Sequence, residues 1–177
     1  MTTLIGADQS ATVANAGGGG ATIIFWQTFT ALYSGTVTAL VINISSTHSA
    51  TGMAAAMYDS TGTSLLGSTS SSVPANGLNT LSVTTPFTIV SGVQYKFVAY
   101  VGGSSYISPT AALDSKTATY QVDPVGWTFP TFGASLPAGT SGAYGTLGYQ
   151  GTGTILVTPY ILRTPRKTLN LDSTVYY

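Results

Sequence analysis

The sequence predicts an all-β protein, built as a sandwich or a barrel. Three observations predict it. No window of about a dozen residues sets apolar positions at three-four spacing among good helix formers. Strand-like runs recur about every ten residues, the spacing of sandwiches and barrels. Clusters of Gly, Ser, Asn and Pro punctuate the runs. The chain has 177 residues, which suits one domain of roughly 150 residues with ends left over. A domain of that size buries about two-thirds of its unfolded surface, so it needs no covalent staple. There is no cysteine, which removes disulfides, thiolate catalysis and cysteine-type zinc sites.

The elements follow in order. Residues 1–21 read as a polar N-terminal arm, ending in the glycine run Gly17 to Gly20, a flexible hinge. Predicted strands are Thr22 to Phe29, Thr36 to Ile44, Met53 to Tyr58, Leu78 to Val83, Gln94 to Val101, Thr117 to Val122 and Thr154 to Leu162. Alternation is clearest in Tyr95-Lys96-Phe97-Val98-Ala99-Tyr100, where Lys96 opposes the Tyr95 and Phe97 face. The alanines Ala54 to Ala56 run into Tyr58-Asp59-Ser60-Thr61-Gly62, a tight turn. Pro159 argues for an edge or a bulge in the last strand. Ser68 to Asn79, with Pro74 and Asn76-Gly77, reads as a long polar loop. Gly133 to Gly153 holds seven glycines and one proline and also reads as loop. Residues 163–177 differ in composition and are expected to form a C-terminal docking tail.

One stretch carries a family likeness. It runs from Gly35-Thr36-Val37-Thr38-Ala39-Leu40 through Met57-Tyr58-Asp59-Ser60-Thr61-Gly62-Thr63-Ser64-Leu65-Leu66. It continues with Gly77-Leu78-Asn79-Thr80-Leu81, Thr85-Pro86-Phe87-Thr88-Ile89 and Gly92-Val93-Gln94-Tyr95-Lys96-Phe97. A strand ending in Tyr-Asp, a glycine turn, an Asn-containing strand and a Gly-x-x-Tyr strand follow one another. This resembles the jelly-roll β-sandwich modules of bacterial surface proteins, carbohydrate-binding modules and phage virion appendages. The likeness spans about Gly35 to Val101. It implies an antiparallel jelly-roll-like sandwich over residues 22–162 and transfers no ligand-binding residue.

Charge is scarce. Five cations (Lys96, Lys116, Arg163, Arg166, Lys167) face five anions (Asp8, Asp59, Asp114, Asp123, Asp172), 6% of the chain with zero net charge. An ordinary soluble domain carries about 25%. A free monomer usually stays soluble through mixed surface charge. The mean hydropathy is +0.31. Such a surface suits packing against other protein. Nucleic-acid binding needs a basic stripe, and Arg163, Arg166 and Lys167 make only a small cluster. Met1 to Gly20 has no positive n-region and no long apolar core, so no Sec signal is expected. Runs such as Ala39 to Ile42 are too short to span a bilayer.

Chemistry has little material. His48 is the single histidine and lies in the polar stretch Ser45-Ser46-Thr47-His48-Ser49. A Ser-His-Asp triad needs a held base and a nucleophile, and no Gly-x-Ser-x-Gly elbow is present. Glycosidases commonly pair two carboxylates, whereas these five aspartates are scattered in turns. No catalytic residue, metal or cofactor is assigned. Asp59 with Ser60 and Thr61 offers oxygens to Ca²⁺, but an aspartate bonding the amides of its own turn is the preferred reading. Asn43-Ile44-Ser45 is a glycosylation sequon in form only.

Aromatics are the best binding candidates. Tyr120, Trp127, Phe129 and Phe132 fall in a Gly- and Pro-containing segment, beside Gln121 and Asp123. Three readings rank in this order: a loop folded over its own sandwich, anchors at a subunit interface, and a sugar-stacking platform. Phe25 and Trp26 belong to the core. The docking residues of the tail are Arg163, Arg166, Lys167, Leu169, Leu171, Val175, Tyr176 and Tyr177. The sequence thus points to a non-enzymatic structural protein on a bacteriophage particle, a capsid decoration protein or a head or tail appendage. Such a particle assembles in the host cytoplasm. The expected partners are capsid or tail proteins of the same virion and further copies of the chain, with a trimer as the favoured form. A carbohydrate-binding module or host-surface adhesin is the alternative, and a polysaccharide-degrading virion enzyme comes third.

Overall fold

A computed structural model describes residues 1–6, 16–18, 22–44, 51–102, 105–107, 117–122, 127–143 and 149–156. All regular structure among these residues is strand. In chain order the strands are β1 (Thr2–Gly6), β2 (Ala16–Gly18), β3 (Thr22–Thr30), β4 (Gly35–Ile44), β5 (Gly52–Asp59) and β6 (Leu65–Ser68). They continue with β7 (Gly77–Ile89), β8 (Gln94–Gly102), β9 (Ser105–Ile107), β10 (Thr117–Val122), β11 (Thr140–Ala143) and β12 (Tyr149–Ile155).

The strands form two antiparallel sheets. Sheet A runs β1-β12-β4, with β7 on the other flank of β4 and the short pair β9-β2 meeting β4 at Ile44. Sheet B runs β11-β10-β3-β8-β5-β6. Eight strands form the frame: β1, β3, β4, β5, β6, β7, β8 and β12. Renumbered one to eight, they lie as 1-8-3-6 in one sheet and 2-7-4-5 in the other. That is jelly-roll connectivity. β10 and β11 extend sheet B beyond β3.

Period-two alternation sets which side chains meet between the sheets. From β3 come Ile23, Phe25 and Phe29; from β5, Met53, Ala55 and Met57; from β8, Tyr95, Phe97, Ala99 and Val101. Sheet A answers with Val37, Leu40, Ile42 and Ile44 of β4 and Leu81 and Val83 of β7. The inward phase of β4 changes from odd to even residues at Thr38. There the register slips against both neighbours, since Val37 pairs Gly153 and Phe87 while Ala39 pairs Thr152 and Ser82. One unpaired residue is what a bulge inserts, and it flips the phase of everything beyond it. Tyr149 of β12 ties the layers together. Its ring stacks on Phe97 of the opposite sheet at 4.5 Å and 16°. Its hydroxyl donates to the Phe25 carbonyl at 3.5 Å.

Several expectations change. Residues 2–6 are not part of an arm: β1 is a strand of sheet A, paired with β12 from Thr2↔Gly153 to Gly6↔Gln150. A bulge between Thr3 and Ile5 lets the successive residues Leu4 and Ile5 both enter the core. Gly17 and Gly18, read as part of a hinge, pair with Tyr106 and Ser105 as β2. The glycine-rich stretch 133–153 contains β11 and most of β12. A Cβ at Gly151 would lie 2.7 Å from Ile5 Cγ2, and one at Gly153 would collide with the Thr36 carbonyl. Glycine there marks close approach of neighbouring chain, not a loop. The last strand consequently starts earlier than expected, at Tyr149, and Pro159 lies outside the described residues. β7 runs beyond Val83 to Ile89, and its residues between Ser82 and Phe87, Pro86 among them, stand opposite the Thr38 irregularity.

Leu4→Ala reports directly on the status of the first strand. We expect a loss of about 2–5 kcal/mol in urea unfolding, the cost of a buried Leu truncation. An unchanged midpoint would return residues 2–6 to the arm.

Candidate functional site

Sheet B is apolar on its outer side as well. Ile24 and Trp26 of β3, Ala54, Ala56 and Tyr58 of β5, and Val98 and Tyr100 of β8 all point away from the inner core, yet all are buried. They are covered by the segment 127–137. Phe132 is buried in this second cluster, with Trp127, Phe129, Leu136 and Leu65 partly buried against it.

Tyr100 is the centre of the cover. Phe129, Trp127 and Phe132 meet its ring edge-on, with centroids at 5.1, 5.8 and 5.8 Å. Trp127 also lies parallel to Tyr58 at 6.5 Å and 13° and edge-on to Phe132 at 5.8 Å. Such pairs each contribute about 0.5–1.5 kcal/mol beyond the area they bury. Phe129 reaches across to Gly52, where a Cβ would stand 2.9 Å from its ring.

Polar contacts fix the segment at its far end. The Tyr58 hydroxyl donates to the Gly133 carbonyl at 2.6 Å. Burial pushes that hydroxyl well above the usual phenol range, so it stays a donor at any ordinary pH. Leu136 N–H donates to the Gly62 carbonyl at 2.7 Å, and Leu65 N–H to the Ala134 carbonyl at 3.2 Å. The cover is therefore latched to the β5–β6 turn.

That turn is organised by Asp59. Its Oδ1 accepts from the amides of Gly62, Thr63 and Ser64 at 2.7, 2.9 and 3.2 Å. Its Oδ2 accepts from the hydroxyls of Thr61 and Thr63 at 2.8 and 3.3 Å. The Thr61 hydrogen bond is the largest influence holding the carboxyl below its ordinary 3.8; desolvation opposes it, and the Ser64, Thr63 and Gly62 amides add to the lowering. A carboxylate so engaged is a turn organiser, with its lone pairs already taken by protein donors.

The other sequence candidates are dispersed. Tyr120 stands in β10 opposite Phe25 on one side and Thr140 on the other. Gln121 stands opposite Ile24. Asn43, the residue of the sequon, is only 4% exposed within β4. His48, Asp123 and the docking residues Arg163, Arg166, Lys167, Leu169, Leu171, Val175, Tyr176 and Tyr177 lie outside the described residues. Of the ten charged side chains, only Asp59 and Lys96 belong to the described residues. Sequence reasoning passed over Leu32, Tyr33, Val90 and Val93, all exposed. Their signal is plain in retrospect: large apolar residues standing in short turns between strands. Comparison of the chain with protein-family models, with curated proteins and with solved structures finds no match.

Two outcomes follow. Tyr58→Phe should cost about 0.5–1.5 kcal/mol, the net worth of one hydrogen bond, and should change Trp127 fluorescence before global unfolding in urea. For Asp59, the folded carboxyl titrates below the unfolded one. Its contribution is therefore complete above pH 3.8 and is lost as pH falls through the lower folded value. Acid unfolding of Asp59→Asn should show a shallower pH dependence than wild type in that window; matching slopes would remove Asp59 from the acid response.

Proposed function

We propose that this chain is a non-enzymatic structural protein of a bacteriophage particle, displayed on the particle surface and acting through protein–protein association. The carrying observation is a jelly-roll sandwich whose described residues hold two charged side chains. Its exposed strand positions are instead neutral hydroxyls, such as Thr28 and Thr30 on β3 and Thr80, Ser82, Thr84 and Thr88 on β7. A face of that kind packs against a neighbour without stripping water from ions, the step that makes charged contacts costly. Symmetric association of copies is the common arrangement of soluble oligomers. In this reading the basic cluster Arg163, Arg166 and Lys167, with the apolar residues after it, supplies the electrostatic contact to capsid or tail protein.

A glycan-binding role has less support. Trp127, Phe129 and Phe132 are engaged in covering sheet B, and a sugar platform needs their faces free. Trp127 and Phe129 keep only a minor part of their surface open to such a ligand.

Immunogold labelling of purified particles, with antibody raised against this chain, tests the assignment. Gold on the particle surface is the expected result. Label confined to soluble protein, with particles bare, would overturn it. In parallel, a glycan array probed with the purified chain should give no signal; binding that Trp127→Ala abolishes, with the variant still folded, would favour the carbohydrate-binding alternative.

A further inference from the structure

Asparagine is among the chemically labile side chains of a protein. The described residues hold three: Asn43, Asn76 and Asn79. Asn43 is buried within β4 at 4% exposure, and Asn79 is buried within β7 at 8%. Asn76 is exposed, in the last position before β7. It is also the one of the three that is followed by glycine.

Asn79 clamps the residues on either side of Asn76. Its Oδ1 accepts from the Ala75 amide at 2.8 Å, and its Nδ2 donates to the Ala75 and Gly77 carbonyls at 2.7 and 2.9 Å. The Asn76 carboxamide has no such tie, since no side-chain hydrogen bond holds it among the described residues. Gly77 has a φ of 86°, in the left-handed region where any side chain would be strained. A Cβ there would meet nothing within 4 Å. The turn thus requires glycine for its conformation, and that glycine leaves its own amide nitrogen unshielded by a side chain.

We propose that Asn76 is a self-modification site, at which the chain converts its own asparagine to aspartate and isoaspartate through a succinimide. The Gly77 amide nitrogen attacks Asn76 Cγ. A new C–N bond forms, the Cγ–Nδ2 bond breaks, and ammonia leaves with the amide proton. Water then opens the ring. Addition at Cγ gives aspartate. Addition at the main-chain carbonyl gives isoaspartate, whose backbone runs through Cβ and is one methylene longer. Water is the only co-reactant, and nothing is oxidised or reduced.

Both products change the surface at this place. Each sets a carboxylate near in sequence to Val73 and Leu78, which are 77% and 57% exposed. The described residues carry no charge at that end, because Asp59 closes β5 and Lys96 lies near the start of β8, at the opposite end. A chain of zero net charge becomes an anion. Isoaspartate does more. Its extra methylene falls between Ala75 and Gly77, two points held by one carboxamide, so the Asn79 clamp has to give. Asn79 is then a buried amide stripped of its partners, the costly case of a hydrogen bond left unmade, and the entry into β7 loosens. The inference is independent of the particle assignment, because it concerns the purified chain alone.

Peptide mapping by mass spectrometry, on the full chain held at mildly alkaline pH, tests it. The peptide with Asn76 should lose its amide and split into aspartate and isoaspartate forms, at a rate close to that of the same peptide in chain unfolded in urea. Asn43 and Asn79 should keep their amides in the folded protein. Asn76→Gln changes an exposed, unbonded side chain, so it should fold as wild type does and stay unmodified at that position. Anion exchange separates the aged form, which should unfold at lower urea than fresh protein. Asn76→Asp, with the charge but without the added methylene, should keep the fresh midpoint. Asn76 that stays intact in the folded chain while reacting in the unfolded one, or equal amide loss at Asn76 and Asn79, would overturn the site. An aged isoaspartate form with the midpoint of fresh protein would overturn the broken clamp.

Discussion

Strands β3, β5 and β8 carry large apolar side chains on both faces, so one sheet has to be covered twice. Sheet A covers the inner face, and the segment 127–137 covers the outer. The second cover is a single irregular segment with no strand partners of its own along most of its length. It works because three aromatic rings interlock around Tyr100 and because three hydrogen bonds latch the segment to the end of β5, the turn that follows and the start of β6. Remove that cover and Trp26, Tyr58 and Tyr100 face water together, an apolar patch of a size that soluble chains seldom leave open.

The latch places an unexpected weight on one small turn. Asp59 draws three amides and two hydroxyls around its carboxylate, and the turn so formed presents the Gly62 carbonyl to Leu136. A charged side chain engaged by its own turn is thereby connected, through one backbone bond, to the cover of an entire sheet. The scarcity of charge takes on a different meaning in that light. Asp59 is spent inside its own turn, and the remaining surface of the described residues is hydroxyl and apolar.

The core between the sheets shows why glycine content misled the reading of the chain's later part. In β12 the glycines allow the Thr36 backbone and the Ile5 side chain to come closer than any Cβ permits. In β1 the useful signal is only two residues long, Leu4 and Ile5, and a bulge brings both inward, so no alternation announces a strand. Residues 22–29, 36–44, 94–101 and 117–122 were legible because β-branched and aromatic residues cluster there between turn residues, and 53–58 because its apolar run ends in the Asp59 turn. Phe25 was legible as core for the same reason. Trp127, Phe129 and Phe132 were legible as a group needing burial, and the favoured reading, a loop laid over its own sandwich, matches the packing of all three.

Sequence alone determined the all-β class, the positions of the main strands, the Asp59 turn and the shortage of charge, since each depends on local composition or on a period of two. Only the tertiary structure decided that residues 2–6 belong to a sheet, that Thr38 flips the phase of β4, that Gly151 and Gly153 lie in a strand, and that Leu32, Tyr33, Val90, Val93 and Leu156 share one end. The reason is physical. Local preference and alternation act over a few neighbouring residues, whereas partners such as Leu4 with Leu32, or Gly153 with Thr36, are brought together by strand pairing between distant parts of the chain, which no short window of sequence records.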